Sequence, residues 1–477
     1  MIDRITPDSA RPGAAYNRSY IWTISFVAAL GGLLFGYDWV VIGGAKSFYE
    51  KFFNLTDPNA QGWAMSCALI GCLVGALLSG GWSDKAGRKR LLLLSAFLFA
   101  VSSIGTACAG VFSLFVFWRI IGGVAIGLAS NLSPMYIAEV APAQARGKLV
   151  AINQLTIVIG ILLAQVVNWL IAEKVPAHAT TAEILHSWNG QIGWRWMFGV
   201  TAIPSLLFFT GMWFVPESPR WLAKSGRTDE SRAILTKIGG QKYANDALAE
   251  IDAALASESK QAGLSELFAP GMMKVLLLGI GLAVFQQWCG INVIFNYAAD
   301  IFSAAGYDIS DTLANIAWTG SVNMAFTFVA LGLVDKLGRR PLMLFGSAGL
   351  AAIYIAMGCC YHTHVTGLPM LLLVLAAIAC YAMSLAPVVW VVISEIFPNR
   401  IRGAAMSVCV SALWVACFLL TFTFPTLNKT FGAANTFFTY AGICVVGFIF
   451  IKTSLTETKG KTLEQIEKEL VGIGKKS

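Results

Sequence analysis

A chain of 477 residues that is 57% hydrophobic and only 13% charged, with a mean hydropathy of +0.68, cannot be a soluble globular protein. A net charge of +8 would suit an acidic partner. The basic residues fall instead in short loops between apolar runs, so no nucleic-acid partner is expected. Ten cysteines lie almost entirely inside those runs without metal-ligand spacing. They read as small core residues, and no metal or cofactor is expected.

Apolar runs long enough to cross the roughly 30 Å core of a bilayer occupy 20–44, 62–82, 91–110, 112–134, 149–172, 194–215, 272–301, 312–334, 341–361, 368–394, 404–427 and 434–455. The first is too long for a signal-peptide core and reads as a retained helix. The expected fold is an all-α polytopic membrane protein of twelve transmembrane helices. A polar segment, 216–271, divides it into an N-terminal bundle (1–215) and a C-terminal bundle (272–455). Its pattern predicts short amphipathic helices, and a tail (456–477) follows.

Loops after the even-numbered spans hold Lys85, Arg88, Lys89, Arg90, Arg146, Lys148, Lys336, Arg339, Arg340, Arg400 and Arg402. The opposite side holds only Lys46, Lys51, Lys174, Arg195 and Lys429. By the positive-inside rule both termini and the tail are cytoplasmic.

The halves repeat. Asp84-Lys85-Ala86-Gly87-Arg88-Lys89 recurs as Asp335-Lys336-Leu337-Gly338-Arg339-Arg340, 251 positions on, and Glu139 with Arg146 recurs as Glu395 with Arg402, 256 positions on. Glu217 of Pro216-Glu217-Ser218-Pro219-Arg220 recurs as Glu457, 240 positions on. Parallel six-helix repeats predict two bundles with a binding site between them near the midplane. The repeated charges (Asp84, Arg88, Glu139, Arg146, Glu217, Arg220, Asp335, Arg339, Glu395, Arg402) are expected to form a cytoplasmic gate, pairing across the halves when that mouth shuts.

Inside the spans, Asp38 of Gly31-Gly32-Leu33-Leu34-Phe35-Gly36-Tyr37-Asp38-Trp39 and Arg119 are the ionisable residues at membrane depth. A charge there costs at least about 2.5–3.5 kcal/mol and needs a partner, a proton or a wet cavity. The two are expected to face each other across a polar cavity, with Asp38 taking up and releasing a proton; the alternative is a static ion pair pinning two helices. Span five places Gln154, Val158, Ile161, Gln165 and Asn168 on one face, which must line a cavity or pack on protein. Span seven carries Gln286, Gln287, Asn292 and Asn296. On an unbroken helix the two amide pairs would point apart, and a break near Gly290 would bring them together. Paired amides match vicinal hydroxyls, and Trp390 and Trp414 offer flat apolar faces to a sugar ring.

The ordered set of motifs, with Gln286-Gln287-Trp288-Cys289-Gly290-Ile291-Asn292, resembles the sugar porter family of the major facilitator superfamily over nearly the whole chain, and its bacterial proton-coupled monosaccharide symporters in particular. The resemblance implies sugar contacts from Phe35, Gln154, Gln286, Gln287, Asn292, Asn323, Trp390 and Trp414, with Asn296 where a Tyr is usual. It also implies proton coupling through Asp38 and Arg119. Ile161, Leu413 and Ala386 depart from the symporters' pattern and bear on which sugar fits. The expectation is proton symport of a monosaccharide by a monomer in the lipid bilayer of the cell membrane. The runner-up is a proton-independent sugar or cyclitol facilitator. No Ser/His/Asp grouping or phosphate loop suggests an enzyme, and His178, His186, His362 and His364 all fall outside the spans.

Overall fold

The computed structural model describes residues 16–176, 179–258, 267–398, 401–461 and 465, and among them there are helices and connections but no strand. His178, Arg400, the first fifteen residues and most of the tail lie outside this set. The first half comprises α1 (Arg18–Phe52), α2 (Pro58–Ala86), α3 (Arg88–Ala107), α4 (Phe112–Val140), α5 (Ala143–Ile171) and the short α6 (Thr181–His186). A π-helical turn (Asn189–Gly193) then leads into α7 (Trp194–Gly199) and α8 (Ala202–Phe214), together the sixth span. The polar segment folds into α9 (Pro219–Lys224) and α10 (Thr228–Glu258), the latter broken at Gly240. These are the short helices its pattern predicts.

In the second half, span seven is α11 (Pro270–Trp288) and α12 (Ile291–Asn296), followed by α13 (Ala298–Ala304); α14 (Ile309–Leu337) and α15 (Arg339–His362) are spans eight and nine. Span ten divides into α16 (Leu368–Met383) and α17 (Leu385–Glu395). The last helix, α18 (Arg402–Ser454), has 53 residues, which at 1.5 Å each would be about 80 Å, more than twice a bilayer core. Gly432, at φ 78° and ψ 163°, interrupts it, so α18 is two spans and the chain crosses twelve times.

Packing repeats with the sequence. α1 lies on α5 and α2 on α4, while α11 lies on α18 and α14 on α16; α2 with α18 and α5 with α14 join the halves. Glycines set these approaches. A Cβ at Gly36 would collide with the Ile157 carbonyl, and one at Gly123 with the Ala68 carbonyl, so α1/α5 and α2/α4 touch backbone to backbone.

The repeated loop motif has one physical basis in both halves. Gly87 and Gly338 each sit at φ +92°, a backbone region that favours glycine, and each faces a carboxylate, Glu217 or Glu457. Glu217 accepts from the backbone N–H groups of Arg88 (3.0 Å) and Lys89 (3.0 Å), and Glu457 from those of Arg339 (3.0 Å) and Arg340 (3.1 Å). These two acids therefore cap the N-termini of α3 and α15. Partial burial pushes the Glu457 carboxyl up, but the backbone N–H groups of Lys459, Arg339, Arg340 and Thr458 outweigh it and hold the group below the usual carboxylate range. The stabilisation is thus complete above the ordinary glutamate range and fades as the pH falls below it. Glu457→Gln is expected to lower thermal stability at about pH 7, with the gap to the parent closing as the pH falls below the ordinary glutamate range; a constant gap would exclude the carboxylate's charge as its source.

Candidate functional site

Asp38 and Arg119 are both buried, at 5% and 3% exposure, so the acid faces protein and not lipid. The Arg119 Nη1 donates to both carboxylate oxygens of Asp38, at 2.8 and 2.9 Å, and Nη2 reaches the Asp38 carbonyl at 3.4 Å. The Phe198 ring covers the guanidinium at 5.5 Å. Arg119 Nε is buried without a partner. The two groups make direct contact, and the space beside them is a small cavity of about 10 Å³.

Span seven breaks as its glycine predicts. α11 ends at Trp288, and Gly290 adopts φ 87° before α12 starts. The turn brings the Asn292 amide back onto the Gln287 carbonyl oxygen, to which it donates. Gln286 donates to the carbonyls of Leu385 (3.3 Å) and Ala386 (3.1 Å). These acceptors are offered by a second break, at Ser384, where φ −127° and ψ −86° separate α16 from α17. Gln286, Gln287 and Asn292 thus form one connected amide group between spans seven and ten. Asn296 stands apart from them, lining the cavity beside Arg119. Asn323 is buried on α14.

Of the span-five stripe, Gln165 donates to Thr319 of α14 at 3.2 Å and Asn168 to the Val41 carbonyl of α1 at 2.9 Å. These two pack on protein; Gln154 stays half-buried. Phe35 and Trp414 lie 6.1 Å apart and share a cluster with Trp39, 6.1 Å from Phe35 and 6.0 Å from Trp414. Trp39 was not singled out by sequence reasoning, since nothing distinguishes it from the chain's other tryptophans. Trp390 on α17 is exposed.

A second feature absent from the sequence reading closes the face opposite the repeated basic motifs. Lys46, 4% exposed, pairs at 3.0 Å with Glu50 of its own helix and at 3.0 Å with Asp300 of α13, beneath the Tyr297 ring at 5.7 Å. Beside it the α1 backbone at Gly43 meets that of Phe295 and Asn296. The Val175 N–H donates to Ser310 at 3.0 Å, and Thr426 to Asn59 at 3.3 Å. The halves are latched here. Lys46→Met leaves Glu50 and Asp300 together without their cation, so this face is expected to part. Spin labels flanking α1 and α13 should then report a longer distance, and an unchanged distance would refute the latch.

On the basic face the following charges pair within each half. Arg88 meets Glu139 (3.0 Å) and Asp84 (3.1 Å), and Arg339 meets Glu395 (3.0 Å). Ser218 donates to Glu139, and Thr458 to Glu395 at 2.6 Å. Arg402 donates to the Phe397 carbonyl at 3.2 Å. Arg146 is exposed in the first turn of α5, Arg220 opens α9, and Asp335 lies near the end of α14. These pairs form two matching networks, each tying its loops to its own bundle; pairing across the halves is expected when this mouth shuts. The seam is shut at the other face.

A profile of the family described as "Sugar (and other) transporter" matches residues 24–470. The chain belongs to this sugar transporter family. Among sugar transporters, the D-xylose-proton symporter of Escherichia coli K12 is 40% identical, covering 95% of this chain and 96% of its own. The arabinose-proton symporter of Bacillus subtilis 168 is 38% identical, covering 97% and 98%. The inward open conformation of the xylose transporter XylE from E. coli superposes with a TM-score of 0.83 at 38% identity, over 94% of this chain and 100% of that one. The sugar transporter family match thus spans residues 24–470, and the chain is a multi-pass membrane transporter and not an enzyme.

Proposed function

We propose that this protein takes up a monosaccharide, a pentose or hexose, together with a proton, by alternating access of its two bundles. The observation that carries the reading is the buried contact between Asp38 and Arg119. A carboxylate at membrane depth, held by one guanidinium and next to a cavity, is a group whose protonation changes what its partner can do. Relatives named as proton symporters for xylose and arabinose support the same reading. The basic face is cytoplasmic by the positive-inside rule, the membrane is the cell membrane, and the unit is the monomer. The latched face is then extracellular, so the conformation faces inward.

In this reading Gln286, Gln287 and Asn292 supply the donors and acceptors that meet the sugar hydroxyls, with Gln154 and Asn323 from the facing spans. Phe35, Trp414 and Trp390 contact the ring's apolar surface. Glu139, Glu395, Arg88 and Arg339 keep each half's loops rigid. Asp84, Asp335, Arg146, Arg220, Arg402, Glu217 and Glu457 complete the cytoplasmic gate, whose halves meet when the outer latch opens.

The test is uptake of a panel of pentoses and hexoses into vesicles, with and without an imposed pH gradient. At least one sugar is expected to accumulate only with the gradient. Uptake that is the same with and without it would establish a facilitator instead.

A further inference from the structure

The cavity beside Arg119 straddles the two halves. Trp39 of α1, Met65 and Cys72 of α2, and Arg119 of α4 contribute from the first half, and Asn296 of α12 from the second. Its volume, about 10 Å³, is the room that one water needs. Two of its liners carry buried polar atoms without partners, Arg119 Nε and Asn296 Oδ1. One is a donor and the other an acceptor, and native proteins rarely leave either unmet. Asn296 has no other polar engagement with the span-seven amides, which bond among themselves and to span ten.

We infer that the cavity binds one water, and that through it Asn296 is a positioning residue for the proton site, holding Arg119 when Asp38 is neutral. This deepens the proton-symport reading and rests on it. While Asp38 is ionised, Arg119 spends Nη1 on the carboxylate. Protonation of Asp38 removes the charge that fixes the guanidinium, which then needs another acceptor in a dry site. Asn296 supplies one through the water, and it does so only where α12 lies against α1, as it does here at Gly43. Neutral Asp38 is thereby tied to the conformation with the outer face closed. The link crosses from one bundle to the other, so opening of that face breaks it.

The other titratable groups in the field of the pair are Tyr37 and Tyr49 of α1 and Cys67 and Cys72 of α2. Beyond Tyr49 and Tyr297 lie the latch charges Lys46, Glu50 and Asp300. The phenols and thiols ordinarily ionise above about pH 8, outside the range at issue. The latch charges are common to every variant below.

A double-mutant cycle tests the link without any sugar. Asp38→Asn mimics the neutral acid, and Asn296→Leu keeps the side chain's shape while removing its polar atoms. The ratio of closed to open outer face is read from spin-label distances in the full-length protein. Asn296→Leu is expected to lower that ratio about tenfold in the Asp38→Asn background, and less than about threefold with Asp38 in place. Asn296→Ser, which keeps an acceptor, should restore most of the loss. A high-resolution map should carry a single water peak within about 3 Å of the Asn296 amide. Equal effects in both backgrounds, no rescue by serine, or an empty cavity would each overturn the inference. None of these readouts depends on gradient-driven uptake, so failure of symport and failure of the water link are told apart.

Discussion

Asp38→Asn is expected to abolish uphill sugar accumulation while sugar counterflow across the same membrane survives. A proton gradient of about 100 mV supplies roughly 2.3 kcal/mol per charge, enough for close to fifty-fold accumulation. That ratio should fall to about one in the variant. Asparagine has nearly the shape of aspartate and fills the same place beside Arg119, which in the native protein donates to the carboxylate at 2.8 and 2.9 Å. The fold and the sugar amides therefore stay in place, and only the ability to exchange a proton is lost. Retained pH-driven accumulation would remove Asp38 from the coupling.

Arg119→Met should have the largest effect on stability. It leaves the Asp38 carboxylate, 5% exposed, without its cation in a site walled by Phe198 and the first bundle. Removing one partner of a buried pair typically costs about 3–5 kcal/mol, whereas removing both can be nearly neutral. The single variant is expected to lose that amount in thermal or chemical unfolding in detergent, and Asp38→Asn combined with Arg119→Met to regain most of it. If the double variant is as unstable as the single one, Arg119 stabilises by packing and the charge argument fails.

What the sequence revealed follows from how local each signal is. Twelve apolar runs, the repeated loop motif and the break at Gly290 are written in contiguous residues, and the fold reproduces them. In this conformation Glu139, Glu217 and Glu395, expected to pair across the halves when the cytoplasmic mouth shuts, are held within their own halves. Fixed spacing to Arg88 or Arg339 looks the same whether an acid bridges two bundles or caps a helix in its own, and only geometry separates the two. The latch was invisible for a different reason. Lys46 and Asp300 are 254 positions apart, and each alone reads as an ordinary charge at a span's end. The break at Ser384 carries no glycine; Pro387 follows it within the first turn of α17, where proline is tolerated and gives little warning.

The most direct measurement is proton flux itself. Vesicles holding a pH-sensitive dye and no imposed gradient should acidify as a transported sugar enters, and the Asp38→Asn protein should carry that sugar in without any change of internal pH. Sugar entry through the native protein with no accompanying proton would contradict the account, and the buried pair would then be a structural pin in a passive carrier.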